Sequence, residues 1–204
     1  MKVINQINKK TLFIILGVTG AAAALIVVVA LAGDFKFSLS LNPSAKQGSE
    51  AGEFLTYNNA EKGIAIQYPS QWQMSEKGSS DPTVIVTFLS PIEVGPNIKI
   101  NLRVQMDDAG QPLSLEALSN YVVENHASGF PSGQKVEEGD RTLAGLPGHY
   151  LVYADTQQGV PVKWLTVWTT KDTKAYLVTF SSTVADYDKL LPTVQKMIDS
   201  FQTQ

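Results

Sequence analysis

The sequence predicts an α+β domain behind one transmembrane helix, and three observations carry that expectation. An uncharged apolar run extends from Leu12 to Ala32. Beyond it, β-branched and aromatic runs follow one another with hairpin-length gaps, so strands neighbour strands along the chain. Two amphipathic helical segments stand apart, one mid-domain and one at the C-terminus, which gives layers on an antiparallel sheet rather than a βαβ repeat.

A run of about 20 uncharged residues at 1.5 Å per residue spans the roughly 30 Å hydrocarbon core of a bilayer, whereas a secretory h-region needs only about 7 to 15. The length favours a retained anchor over residues 11–33, although Ala30-Leu31-Ala32 before Gly33 also fits a signal-peptidase site. Lys2, Lys9 and Lys10 precede the run, and no basic residue follows until Lys36, beyond Asp34. That bias places residues 1–10 in the cytoplasm and the rest of the chain outside the cell membrane. Residues 34–52 are small and polar from Asn42 onward and read as a flexible linker, with Phe35, Phe37 and Leu39 at its membrane end. Residues 53–204 are about 150 in number, the size of one domain with one core.

Within that domain, Gly63 to Tyr68 sets Ile64, Ile66 and Tyr68 on one side before Pro69 stops the strand. Val84 to Leu89 is apolar on both sides apart from Thr87, as in a strand covered on two faces. From Ile98 to Met106 the residues alternate without a fault, with Ile98, Ile100, Leu102, Val104 and Met106 inward and Lys99, Asn101, Arg103 and Gln105 outward, which predicts a half-buried strand. Ser114 then caps a helix with Leu115, Leu118 and Val122 on one face and Glu116 in the first turn, ending near Asn125 to Ser128. His149 to Ala154, Val162 to Thr170 and Lys174 to Ser181 follow as an antiparallel meander, joined by Gln157-Gln158-Gly159 and Lys171-Asp172. Last, Tyr187, Leu190, Leu191, Val194, Met197, Ile198 and Phe201 recur at spacings of three and four, giving a helix that is kinked at Pro192 or restarts there.

Composition excludes several functions. The chain has no cysteine, which removes lipobox anchoring, disulfides, thiolate metal sites and cysteine nucleophiles. From Glu53 onward acidic side chains exceed basic ones by roughly six, with no basic cluster to grip nucleic acid. His126 and His149, the two histidines, lie outside any H-x-x-x-H or H-E-x-x-H spacing. Asp107-Asp108-Ala109-Gly110 offers two carboxylates where calcium needs six or more oxygens, and it fits a turn after a strand. Ser128 to Gly133 has neither the P-loop lysine nor dinucleotide spacing and reads as a flexible loop presenting Phe130. Trp164 and Trp168 share a strand face with Val162, with Tyr150 or Tyr176 expected beside them; the cluster suits either an apolar ligand pocket or cross-strand packing under a helix. No residue is assigned a catalytic, cofactor-binding or metal-binding role.

Five segments together resemble the PsbP-like domain family, named for an extrinsic subunit of the oxygen-evolving photosystem. They are Gly63-Ile-Ala-Ile-Gln-Tyr-Pro-Ser-Gln-Trp72, Asn97 to Val104, Ser114 to Leu118, Arg141-Thr-Leu-Ala-Gly-Leu-Pro-Gly-His-Tyr150, and Ala175 to Phe180 followed by Tyr187 to Phe201. The resemblance covers nearly all of Glu53 to Phe201. It implies an α/β/α sandwich with a central antiparallel sheet, and a mode of action by docking onto a membrane complex rather than by catalysis. A spanning segment without cysteine departs from the photosynthetic members, which arrive through a transit peptide or are lipidated. The expectation is therefore a non-enzymatic accessory or assembly subunit, with a membrane protein complex as partner, no cofactor and no nucleic acid. A small apolar ligand binder and an enzyme of another class are the alternatives.

Overall fold

The computed structural model describes residues 52–76, 80–95 and 98–204. The expected anchor at 11–33 and all but the last residue of the linker lie outside the described residues. Among the described residues, no helix is long and apolar enough to cross a membrane.

Two antiparallel sheets form the frame. The larger has seven strands in the order β3-β4-β5-β9-β8-β7-β6, where β3 is Gln73–Ser75, β4 Val84–Glu93, β5 Lys99–Asp108, β6 Gln134–Asp140, β7 Gly148–Gln157, β8 Val160–Lys171 and β9 Lys174–Thr183. The smaller has the order β1-β2-β10, with β1 Phe54–Asn59, β2 Ile64–Pro69 and β10 Gln202–Thr203. Helix α1 runs over Leu115–Gly129 and α2 over Val184–Asp199.

The meander forms as the sequence predicts. Gln158 and Gly159 both have positive φ, the backbone that a two-residue hairpin turn requires, and Val160 then pairs with Gln157. Alternation along these strands sends side chains to two separate cores. On one face Val86, Phe88, Leu102, Val104, Val167, Val178 and Phe180 pack under α2 and the small sheet, which contributes Ile64 and Ile66. Tyr68 and Tyr57 meet Phe88 there, with ring centroids 4.6 and 6.1 Å away. On the other face Leu151, Trp164, Trp168 and Leu177 pack under Leu118 and Val122 of α1. Helices thus cover both sides of a central antiparallel sheet, but one outer layer is composite, with α2 lying beside a second sheet.

The helix ends follow local chemistry. The Ser114 hydroxyl accepts from the Ala117 amide at 3.1 Å to begin α1. Thr183 begins α2 reciprocally: its hydroxyl accepts from the Asp186 amide at 3.2 Å and donates to the Asp186 carboxylate at 2.8 Å. Pro192 lies inside α2 on its exposed side, and the helix runs through it without restarting. There water can take the carbonyl that proline leaves without an amide partner.

Candidate functional site

The expected outward face of β5 is the first correction. Arg103 and Gln105 are buried rather than solvated, at 8% and 2% exposure, because Asp81 and Thr83 from the segment entering β4 close over this part of the face, while Lys99 further along it stays exposed. Asp81 lies against them in the segment entering β4. Its Oδ1 accepts from the Thr83 amide at 2.9 Å and the Thr83 hydroxyl at 2.6 Å, and its Oδ2 accepts from Gln105 Nε2 at 3.1 Å. Burial pushes the Arg103 guanidinium down from its ordinary value, opposed by the negative charge of Asp81. Three buried side-chain atoms on this face of β5 have no hydrogen-bond partner: Asn101 Oδ1, Arg103 Nε and Asp107 Oδ2.

Asp107 and Asp108 face opposite sides of the sheet, as successive strand residues must, so they do not converge on a cation. Burial raises the Asp107 carboxyl. Asp108 accepts from the Gly110 amide at 2.9 Å, which lowers its own value, and Gly110 takes a positive φ. The segment is a turn, and among the described residues no group of three or more acidic or histidine side chains is placed to hold a metal.

The aromatic cluster forms with different members from those expected. Tyr150 and Tyr176 are on the opposite face, in the core beneath α2, because pairing puts them opposite Val167 and Thr169 rather than in the tryptophan rows. Tyr153 and Phe130 take their place. Phe130 is a second correction: it is 6% exposed and stacks on Trp164 at 4.7 Å between centroids and 28° between planes. Helix α1 extends through Gly129 and delivers Phe130 inward, so the segment is not a free loop. Trp168 donates from Nε1 to the Ser119 hydroxyl at 2.9 Å, tying α1 to the sheet. These rings pack against one another as core.

The two histidines part company. His126 is buried on α1, with its Nδ1 2.9 Å from the Val122 carbonyl, and burial lowers it from the ordinary histidine value. His149 is on β7 near the surface. Its Nδ1 is 2.9 Å from Asp140 Oδ1 and its Nε2 is 3.1 Å from Glu138 Oε1, and its ring is 5.3 Å from that of Trp168.

Beside His149 lies an open groove of about 630 Å³, lined by Leu115, Asp140, Arg141, Thr142, Pro147 and Gly148. Arg141 donates from Nη2 to Asp199 at 2.7 Å, which fixes the groove wall to α2. Gly148 is required here: a Cβ would stand 2.5 Å from the Trp168 carbonyl oxygen and 2.7 Å from that of Arg141. Its sequence signal was the Arg141 to Tyr150 segment, which marked a turn into a hairpin but not a groove. The Asp81 contact carried no signal, since it joins residues 24 apart through packing.

This layered fold, with helices on both faces of an antiparallel sheet, is that of a family. The chain belongs to the PsbP-like proteins, whose family model matches residues 18–203. No curated protein matches it. Its fold is similar to the solution structure of cyanobacterial PsbP (CyanoP) from Synechocystis sp. PCC 6803, with 17% identity, a TM-score of 0.58, and coverage of 79% of this chain and 99% of that one. It is also similar to LpqN, involved in cell envelope biogenesis of Mycobacterium tuberculosis, at 13% identity, TM-score 0.53 and coverage of 74% and 91%. The Ran-binding protein Mog1p of Saccharomyces cerevisiae shares the fold at 9% identity and TM-score 0.53, covering 74% and 96%.

Proposed function

We propose that the chain is a membrane-anchored accessory or assembly subunit whose PsbP-like domain docks onto a membrane protein complex on the extracytoplasmic side, without catalysis of its own. The observation that carries this reading is the extent of the family match, which begins at residue 18, inside the Leu12 to Ala32 apolar run, and continues to residue 203. The match takes in Val18 to Ala32 of that run together with the domain. The packing of Phe130 on Trp164 weighs against the apolar-ligand alternative, because the rings that would line such a pocket fill each other's contact surfaces.

Tethering supports docking by effective concentration: a domain joined through residues 34–52 to a membrane span is held near its membrane partner at about millimolar concentration. Purification of the tagged full-length chain in mild detergent is expected to recover a membrane protein in stoichiometric amount. A chain released from residues 1–33 is expected to lose that partner and to fail in complementing a deletion strain. His126→Ala and His149→Ala, alone and together, should complement at matched protein levels. Loss of function in the histidine variants with the fold intact overturns the non-catalytic reading.

A further inference from the structure

The arrangement around His149 is a device that the docking reading does not use. β6 is the outermost strand of the large sheet, and six of its seven residues are exposed. A register shift between Lys135 and Glu137 interrupts its pairing with β7. Such a strand has little apolar contact to hold it in place. Besides its backbone ladder with β7, it has side-chain bonding to that strand. Tyr150 donates to Glu137 at 2.6 Å, and His149 faces Asp140 through Nδ1 and Glu138 through Nε2.

Both ring nitrogens therefore face carboxylate oxygens. An ionised carboxylate only accepts, and a neutral imidazole carries a single N–H, so both contacts are hydrogen bonds only when the ring holds two protons. We propose that His149 is a proton-operated clasp for β6: the doubly protonated ring ties both Glu138 and Asp140 to β7, and loss of one proton releases one of them, loosening β6 and the Asp140–Arg141 wall of the groove. Histidine is the side chain whose charge ordinarily changes between about pH 5 and 8.

The charged groups around the ring suit this role. From β6 it meets Glu138 and Asp140, and Glu138 also holds Lys135 at 2.6 Å. From β8 it meets the uncharged ring of Trp168, through which the Ser119 hydroxyl of α1 connects to it. The Lys135 bond, joined by that of His149, holds the Glu138 carboxyl below its ordinary value, so that arm of the clasp stays ionised while the ring takes up its second proton. With two ring protons β6 is held to β7 by both arms, and with one proton by a single arm, because each ring nitrogen needs its own N–H to bond a carboxylate.

Amide hydrogen exchange of the 134–140 segment in the full-length chain tests this, at about pH 5.5 and about pH 8, with each rate divided by its intrinsic rate. Because the Asp140 side chain is 95% exposed and that of Glu138 28%, each arm is weak, and protection is expected to be only about three-fold higher at the lower pH. His126 pulls the other way, since burial favours its neutral form, so it does not supply such a rise. His149→Gln is expected to bring the ratio to about one, and Asp140→Ala to reduce it. Equal protection at the two pH values in the unaltered chain overturns the proposal without any variant. A ratio that persists in His149→Gln overturns it as well.

Discussion

Phe201 closes the core that joins α2 to both sheets. It follows the last turn of α2, with its amide donating to the Ile198 carbonyl at 3.1 Å, and it precedes β10, whose Gln202 pairs with Ala65 of β2. Beside it, the Ser200 hydroxyl donates to the Met197 carbonyl at 2.6 Å and accepts from the Gln67 amide at 2.8 Å, so the helix end is bonded to the small sheet. The Phe201 ring is 1% exposed and its centroid is 6.2 Å from that of Tyr176 on β9. Phe201→Ala removes the ring and leaves a cavity that these fixed neighbours cannot fill, at a cost of about 3 to 5 kcal/mol. In a domain of this size that lowers the melting temperature by roughly 6 to 20 °C. The assay is urea unfolding of residues 53–204, followed by tryptophan fluorescence, where the midpoint should fall with the slope unchanged. This fragment is expected to fold alone as a monomer, since both cores are built from residues within it. A loss below about 1 kcal/mol refutes the assignment of α2 and its C-terminal turn to the core.

Two further outcomes follow from the geometry and a third from the lysine bias before the apolar run. Asp81→Ala should cost about 3 kcal/mol, because it strands Thr83 and Gln105 and leaves the buried Arg103 without its facing charge; in an Arg103→Met background the same change should cost clearly less, and equal costs in a double-mutant cycle would show that the two charges are not coupled. His126 is lowered by burial, so the unfolded chain takes up its proton first and this contribution to stability, complete above the ordinary histidine value, is lost as pH falls through about 6.5 toward the folded value. His126→Gln should flatten this acid-side decline in the urea midpoint between about pH 7 and 5, and an unchanged slope would rule the residue out as its source. Protease added to intact spheroplasts should remove residues 53–204, and survival of a full-length band that lysis renders cleavable would reverse the topology.

The meander and both helices were legible because their signals are local. Gln158-Gly159 supplies the positive φ of a hairpin turn, and Ser114 and Tyr187 to Phe201 supply a cap and a 3.6-residue period. β6 was not legible, since Gln-Lys-Val-Glu-Glu-Gly-Asp has no apolar alternation; an edge strand needs none, and its charges keep other strands away. β1 and β10 were missed for a related reason. Each pairs only with β2, and β10 has two residues, so their existence depends on where α2 ends rather than on their own composition. Phe130 was misplaced because Ser-Gly-Phe-Pro-Ser-Gly has loop composition, while the stacking that buries its ring lies 34 residues away at Trp164.

β5 shows why the candidate site was harder to read than the fold. Its alternation is faultless, and Ile100, Leu102, Val104 and Met106 do lie under α2 and the small sheet, whereas Ile98, just before the strand, packs in the core beneath α1. Period alone assigns the alternate residues to a second face but not to water; that depends on the neighbours of the strand. The second face of β5 is covered from Arg103 to Asp107, whereas Lys99 on the same face is exposed. Asp81 supplies Gln105 with an acceptor, beside the Thr83 hydroxyl, and faces Arg103 with an opposite charge, which offsets part of the cost of burying them. Polar residues in a strand pattern thus have two physical outcomes. At the edge, as on β6, they are solvated and tied by long side chains such as His149. In the centre, as on β5, they must be neutralised locally, and the residue that does so sits in a connecting segment whose sequence shows only Ser-Asp-Pro-Thr. The first arrangement can open with a change of protonation; the second, if it opens, leaves the buried Arg103 without its facing charge.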